Sequence, residues 1–206
     1  MKIGLISDIH EDIVNLEKAL LVLEGLADEV YCLGDIKGFT DEFYSFKPDA
    51  NECIRLVREN CSGIVIGNHD LYSVQKIPRH CSGFQFPENW YSLSEAEKRD
   101  IAGKKIWLYS NENPPELSDF NKAWLHQLSE YKMCEIAGTK ILLSHFFYPD
   151  LTGSETLKKF TYTSVSSHQA YMSALGADMA FCGHAHSEGL LKASRKQLGV
   201  RRILGM

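Results

Sequence analysis

Gly67-Asn68-His69-Asp70 directly follows the short apolar run Ile64-Val65-Ile66. This arrangement is typical of a buried strand that ends by delivering polar side chains to the edge of a sheet. Alone, the tetrapeptide is weak evidence, because polar residues follow many strands. It gains meaning from the rest of the chain, where the same arrangement recurs.

Four other apolar runs also end in Asp or His. The runs are 3–6 before Asp8 and His10, 30–33 before Asp35, 141–144 before His145, and 179–182 before His184 and His186. Carboxylate, amide and imidazole groups are ligands of hard and borderline metal ions. Strand ends that converge on one edge of a sheet would therefore build a metal site.

Length and composition indicate an ordinary globular protein. The chain has 206 residues, of which 44% are hydrophobic, and a net charge of −5, so we expect one domain over residues 1–206. The acidic balance argues against a protein that holds nucleic acid by electrostatics alone, and we expect no stable nucleic-acid complex. We expect neither a signal peptide nor a membrane span, which needs about 18 uninterrupted apolar residues.

The six cysteines show no C-x-x-C spacing. We interpret them as reduced thiols, which predicts a cytoplasmic location.

The order of elements predicts an α/β fold. Strands at 2–7, 29–33 and 63–66 alternate with helices that begin near Ile13 and Asp49, so the strands should be parallel with right-handed crossovers. In such sheets ligands bind beyond the carboxyl ends of the strands, where the polar residues lie. Farther along, the pattern predicts an irregular segment at 71–93, a helix that ends near 102, and helices at 119–128 and 165–175. It also predicts a hairpin at 132–144 and strands at 178–182, 190–191 and 200–204.

The residue types at the strand ends suit a pair of cations. A phosphoryl centre resists attack because its oxygens are negative, and two divalent cations about 3.5–4 Å apart neutralise them and activate a bridging water. Such a pair needs a shared anionic ligand together with neutral nitrogen and amide donors. The chain supplies Asp8 and Asp35 as carboxylates, Asn68 as an amide, and His10, His145, His184 and His186 as imidazoles.

The strand-end motifs resemble those of the calcineurin-like metallophosphoesterase superfamily, and more closely those of its small bacterial and archaeal phosphodiesterase-type members. In chain order they are Asp-x-His, Gly-Asp, Gly-Asn-His-Asp, His and Gly-His-x-His. The resemblance extends from Met1 to about Ser187 and implies a four-layer α/β/β/α sandwich. It also implies the ligands of each metal: Asp8, His10, Asp35 and His186 for the first, and Asp35, Asn68, His145 and His184 for the second.

The resemblance gives catalytic roles to the rest of the Gly-Asn-His-Asp motif. His69 would contact the phosphate and protonate the leaving oxygen without binding metal, and Asp70 would orient its imidazole. A carboxylate beside a histidine favours the imidazolium and fixes the ring, so this role agrees with the physical chemistry.

The implied function is a dinuclear metal-dependent phosphoesterase in which metal-bound hydroxide attacks phosphorus. We expect a phosphodiesterase rather than a monoesterase, because the phosphate-clamping Arg of the protein phosphatase branch has no counterpart after Gly34-Asp35. The expected substrate is a small phosphate ester, with nucleotide-like esters among the candidates. Mn²⁺ is the first expectation for the metal, with Fe, Zn, Ni and Co as alternatives; the sequence does not indicate the oligomeric state.

Two other functions stay open. A catalytically silent scaffold of the same fold would bind a protein partner, although retention of every ligand and of His69 disfavours it. A nuclease acting on polymers would favour a basic surface, which the acidic balance counts against.

Two local features also have alternative interpretations. Lys37 is interpreted as a solvated loop lysine, with a contact to substrate phosphate as the alternative. The aromatic side chains between 84 and 91 favour a hydrophobic cluster under a loop over a platform for a nucleobase.

Overall fold

The computed structural model describes residues 1–112, 116–156, 162–186, 190–194 and 197–203. Side-chain environments are described through residue 186, apart from 113–115 and 157–164.

A parallel sheet carries the first three strand ends of the predicted site. Its strands are β1 (Ile3–Ile6), β2 (Glu29–Cys32) and β3 (Gly63–Ile64), which lie side by side in that order. Helices α1 (Ile13–Glu24) and α2 (Ala50–Asn60) form the crossovers. The predicted β-α-β-α-β order with parallel strands is confirmed.

Local sequence explains where α2 begins and which face it buries. The Asp49 carboxylate accepts the backbone N–H of Glu52 at 3.0 Å, as expected of an N-cap. Cys53, Ile54 and Val57 are fully buried on one face of the helix. These residues recur at helical spacing, so the amphipathic pattern fixes both the helix and its orientation on the sheet.

The chain continues through three helices before the second sheet. These are α3 (Asn68–Ser73), α4 (Glu95–Ala102) and α5 (Asp119–Gln127), with a short 3₁₀ turn at Trp90–Ser92. Helix α3 corrects the prediction that residues 71–93 are irregular. It was missed because its first turn consists of the polar motif itself, which has no apolar periodicity.

The second sheet contains a hairpin and one further strand. Strands β4 (Tyr131–Ile136) and β5 (Thr139–Ser144) are antiparallel, and β6 (Met179–Phe181) lies parallel to β5 after helix α6 (Tyr162–Ala174). A separate two-stranded sheet pairs β7 (Leu190–Ser194) with β8 (Gln197–Ile203). The predicted hairpin and later strands are therefore confirmed, and β7 and β8 are longer than expected.

The two larger sheets pack face to face, with helices outside them. One core cluster joins Leu33 and Val65 of the first sheet region to Ile141 and Leu143 of β5. A second cluster joins the first sheet to α1 and α2, and Tyr171 of α6 contacts β4. This mixed α/β architecture agrees with the predicted sandwich.

The aromatic residues between 84 and 91 form a separate small core. Phe84 and Trp90 are buried against Ala102 and Ile106. This arrangement agrees with the hydrophobic-cluster interpretation. Among the described helices, none combines the length and the apolarity that crossing a bilayer requires.

Candidate metal centre

Most of the predicted ligands lie where the backbone turns sharply after a strand. Left-handed backbone costs a residue other than glycine on the order of 1 kcal/mol, and such strain concentrates at functional sites. The predicted ligands with positive φ are Asp8, His10, Asp35, His184 and His186. The strand ends therefore adopt unfavourable backbone in order to direct these side chains to one edge.

The first group of ligand atoms comes from the ends of β1 and β6. Asp8, His10 and His186 each offer an atom within 4.8 Å of the others. Nε2 of His186 lies 3.4 Å from Asp8 Oδ1 and 3.1 Å from His10 Nε2. Nδ1 of His10 donates to the Gly38 carbonyl at 3.0 Å, so Nε2 is the nitrogen left to act as a ligand.

The second group comes from the ends of β2, β5 and β6. Asp35, His145 and His184 form another set with atoms within 4.8 Å. Nε2 of His145 lies 2.9 Å from Asp35 Oδ2 and 3.3 Å from His184 Nδ1. Nδ1 of His145 donates to the Leu33 carbonyl at 2.7 Å, which again leaves Nε2 facing the site.

Asn68 has a buried acceptor that lacks a partner. Its Nδ2 donates to the Tyr109 hydroxyl at 3.0 Å, but its Oδ1 has no hydrogen bond among the described residues. An unsatisfied buried polar atom costs about 1–3 kcal/mol, so such atoms are rare without a functional reason. The free oxygen, together with the carboxylates and imidazoles nearby, fits divalent cations.

Gly67 is required by the closeness of Asp35. A Cβ at position 67 would lie 2.1 Å from Asp35 Oδ1. The backbone N–H of His69 donates to the same oxygen at 3.0 Å. The start of α3 and the end of β2 are thus in direct contact, which explains the glycine before Asn68.

Asp70 does not have the role expected from the motif. Its Oδ2 accepts the backbone N–H groups of Asp35 at 2.9 Å and Gly67 at 3.1 Å, and its Oδ1 accepts that of Lys37 at 2.9 Å. The ring of His69 pairs instead with Glu112, through Nδ1. The prediction that Asp70 orients the imidazole is therefore corrected: Asp70 anchors the backbone beneath the site.

Glu112 and Tyr109 were not found from the sequence. The sequence predicts no helix or strand between 102 and 119, and neither residue belongs to a recognisable motif. The structure places them against His69 and Asn68, the two central residues of the Gly-Asn-His-Asp motif. Such contacts between distant segments leave no signal in local spacing.

Lys37 is buried, which corrects the expectation of a solvated lysine. Its side chain forms an ion pair with Glu11, and only 2% of the residue is exposed. Glu11 Oε1 also accepts the backbone N–H groups of Gly38 at 3.3 Å and Phe39 at 3.2 Å. A buried carboxylate requires a partner of opposite charge, and Lys37 supplies it.

The pKa values divide the histidines into two classes. Burial lowers the pKa of His10 to about 4 and that of His184 to about 3, so both are neutral, as metal ligands must be. Burial also acts to lower the pKa of His145, but Asp35 outweighs it and raises the pKa to about 9. A divalent cation would replace the His145 proton as the partner of Asp35.

Comparisons with known proteins give the same family as the strand-end motifs. Residues 1–201 match the family model of the calcineurin-like phosphoesterase superfamily domain. Over 73 residues the chain is 42% identical to an uncharacterized protein of Methanocaldococcus jannaschii, a match that covers 33% of this chain and 26% of that protein.

Two solved structures share the fold. A metallophosphoesterase from Sphaerobacter thermophilus is 21% identical with a TM-score of 0.54, over 90% of this chain and 61% of that one. A hypothetical protein from Pyrococcus horikoshii OT3 is 15% identical with a TM-score of 0.51, over 87% and 67%. The chain thus spans less than two thirds of the length of the Sphaerobacter protein. Because the family model covers nearly all of its residues, the chain belongs to the calcineurin-like phosphoesterase superfamily.

Proposed function

We propose that this chain is a metal-dependent phosphoesterase whose site holds two divalent cations. The observation that carries the proposal is the position of Asp35, which is 1% exposed. Asp35 offers a carboxylate oxygen within 4.8 Å of ligand atoms of His10 and His69, and it forms the second group with His145 and His184. A buried carboxylate shared by two ligand groups supports a role as the common ligand of two cations.

The ligand assignment follows the two groups. Asn68 completes the second through its Oδ1, which has no hydrogen-bond partner in the part of the chain that the structure describes. The mixed oxygen and nitrogen donors suit Mn²⁺ first, with Fe, Co, Ni and Zn as alternatives, and availability rather than affinity would decide among them. The assigned ligands are Asp8, His10, Asp35 and His186 for one cation, and Asp35, Asn68, His145 and His184 for the other.

The residues of the site would bind the phosphate ester and move the proton. When bound, the cations would neutralise the phosphate oxygens and lower the pKa of the attacking water. His69 Nε2 lies 3.9 Å from Asp35 Oδ2, so a phosphate held beside Asp35 would meet this nitrogen. His69 is therefore the proposed general acid for the leaving oxygen.

The charge around the site favours a diester. A monoester dianion needs more compensating positive charge than a diester monoanion. Lys37, which follows Gly34-Asp35, is already paired with Glu11. We infer a small phosphodiester as substrate, with nucleotide-like diesters included.

The test is steady-state hydrolysis of bis(p-nitrophenyl) phosphate and p-nitrophenyl phosphate by metal-stripped protein titrated with Mn²⁺. The proposal predicts that activity returns with added metal and that the diester is cleaved faster. Faster cleavage of the monoester would overturn the inferred preference. Absence of turnover with either ester, despite bound metal, would contradict the proposal and favour the scaffold alternative.

A further inference from the structure

His69 is held by a carboxylate that lies outside the Gly-Asn-His-Asp motif. We propose that Glu112 is the positioning residue of His69: it accepts the Nδ1–H and thereby directs Nε2 toward the reacting atoms. This inference rests on the proposed function, in which His69 transfers the proton.

The two ring nitrogens of His69 face different partners. Nδ1 contacts Glu112 Oε1, whereas Nε2 lies on the side of Asp35. An ionised carboxylate can only accept a hydrogen bond, so the contact fixes the proton on Nδ1. Nε2 is then the nitrogen available for exchange with a substrate oxygen, as in other dyads of histidine and carboxylate.

The environment of the pair strengthens the contact. The Glu112 side chain is only 7% exposed and that of His69 is 24% exposed. A hydrogen bond in such a sheltered position is stronger than one in water. The pairing is therefore suited to holding a single ring orientation.

Packing limits the other orientations of the ring. The rings of Tyr109 and His10 contact His69 edge-on, with centroids 5.0 Å and 4.9 Å away. Gly38 lies against the face near Nδ1, where a Cβ would come within 2.6 Å of that atom. The absence of a side chain at position 38 leaves room for the ring to reach Glu112.

The expected partner of His69 is already engaged. Both carboxylate oxygens of Asp70 accept backbone N–H groups. The orienting carboxylate comes instead from the segment 109–112, whose Tyr109 also fixes the amide of Asn68. This segment is itself anchored, because Asn111 Nδ2 donates to Glu42 Oε2 at 3.1 Å and the Glu112 N–H donates to the Tyr109 carbonyl at 3.0 Å.

The first test does not depend on activity. Histidine side-chain ¹⁵N–¹H NMR of the metal-free chain should show a slowly exchanging Nδ1–H, assigned to His69 by its loss in His69→Ala. We expect Glu112→Ala to abolish this signal and Glu112→Gln to retain it in part, because the amide oxygen still accepts. Glu116→Ala, an exposed glutamate four residues away, is the matched control and should leave it unchanged. Persistence of the signal in Glu112→Ala would overturn the proposal.

The second test uses the Mn²⁺-loaded enzyme and bis(p-nitrophenyl) phosphate. Glu112→Ala should lower kcat by about 10–100-fold, the usual effect of losing a partner that orients a functional group, with KM and metal stoichiometry unchanged. Glu112→Gln should recover part of kcat. In the His69→Ala background, Glu112→Ala should cause no further loss of kcat. A double variant whose loss of kcat equals the product of the two single losses would contradict positioning through His69.

The two proposals fail in different ways. An inactive wild-type protein that shows the Nδ1–H signal, with loss of that signal in Glu112→Ala, would overturn the proposed function and support the pairing. An active wild-type protein whose kcat is unchanged in Glu112→Ala would support the phosphoesterase and overturn the role of Glu112.

Discussion

Asp70 Oδ2 accepts the backbone N–H of Asp35 over 2.9 Å and so joins the start of α3 to the turn after β2. The same carboxylate holds the backbone of Gly67 and Lys37. Asp70 thus sets the position of Asp35, whose carboxylate belongs to two of the ligand groups. This contact makes the two strand ends one structural unit.

Replacement of Asp70 by asparagine should destabilise the fold. An amide offers one acceptor oxygen, so the NH₂ group would face at least one of the three backbone N–H groups. Leaving a buried donor unpaired costs about 1–3 kcal/mol, and we expect the free energy of unfolding to fall by about that amount. Urea denaturation of the metal-free chain measures it, with the exposed Asp119→Asn as control. An Asp70→Asn protein as stable as the wild type would contradict the anchoring role.

Asn68→Ala should separate metal binding from stability. The Asn68 Oδ1 makes no hydrogen bond within the described residues, so its removal relieves an unsatisfied acceptor while the Nδ2 bond to Tyr109 is lost. We expect the free energy of unfolding to change by no more than about 1 kcal/mol. We also expect the second cation to bind much more weakly, as measured by calorimetric titration with Mn²⁺. Asn60→Ala, on the exposed end of α2, is the control. Unchanged binding of both cations would remove Asn68 from the ligand set.

His69→Ala should reduce the rate without removing metal. General acid catalysis typically contributes 10²–10⁴-fold, and we expect kcat for the diester to fall within about that range. Metal stoichiometry should stay the same, because His69 is assigned no cation. The control is His126→Ala on the exposed surface of α5. Turnover that does not change in His69→Ala would exclude His69 from proton transfer.

His168 should make stability depend on pH. Burial lowers its pKa to about 4, and its Nδ1 accepts the backbone N–H of Tyr148 at 2.9 Å, which requires the unprotonated nitrogen. In the unfolded chain the His168 imidazole binds a proton near pH 6.5. The contribution of His168 to the free energy of unfolding is therefore complete above that pH and is lost as the pH falls toward about 4. The loss should approach about 3 kcal/mol.

Urea denaturation of the metal-free protein between pH 7 and pH 4 tests this dependence. His168→Gln keeps a side-chain oxygen that can accept the Tyr148 N–H and should make the profile shallower. The lowered pKa values of His10 and His184 leave a residual slope in both proteins. His126→Gln, at an exposed position in α5, is the matched control and should retain the wild-type slope. A profile for His168→Gln that follows the wild type would show that another group titrates.

The sequence predicted the parts of the site that each strand end defines by itself. Apolar runs ending in Asp, Asn or His predicted the parallel sheet, the hairpin and the residues that meet at the sheet edge. These features can be predicted from local sequence, because the apolar runs are buried and the crossovers between parallel strands have a fixed hand.

The parts that were missed depend on contacts between distant segments. Glu112 lies 43 residues from His69, and Lys37 lies 26 residues from Glu11. A lysine in a loop rich in glycine and aromatic residues has the composition of an exposed segment, so its burial follows only from the tertiary position of Glu11. Asp70 was given the wrong partner because adjacency in the motif suggested His69, whereas the turn after β2 provides the donors.

Electron paramagnetic resonance of the Mn²⁺-loaded protein can show whether two cations share Asp35 as a ligand. We expect about two Mn²⁺ ions per chain with a spin-coupled spectrum, because a shared Asp35 carboxylate would hold two ions about 3.5–4 Å apart. Asp35→Asn should lose the coupled spectrum. A single uncoupled Mn²⁺ ion per wild-type chain, or a coupled spectrum that persists in Asp35→Asn, would exclude Asp35 as the common ligand of two cations.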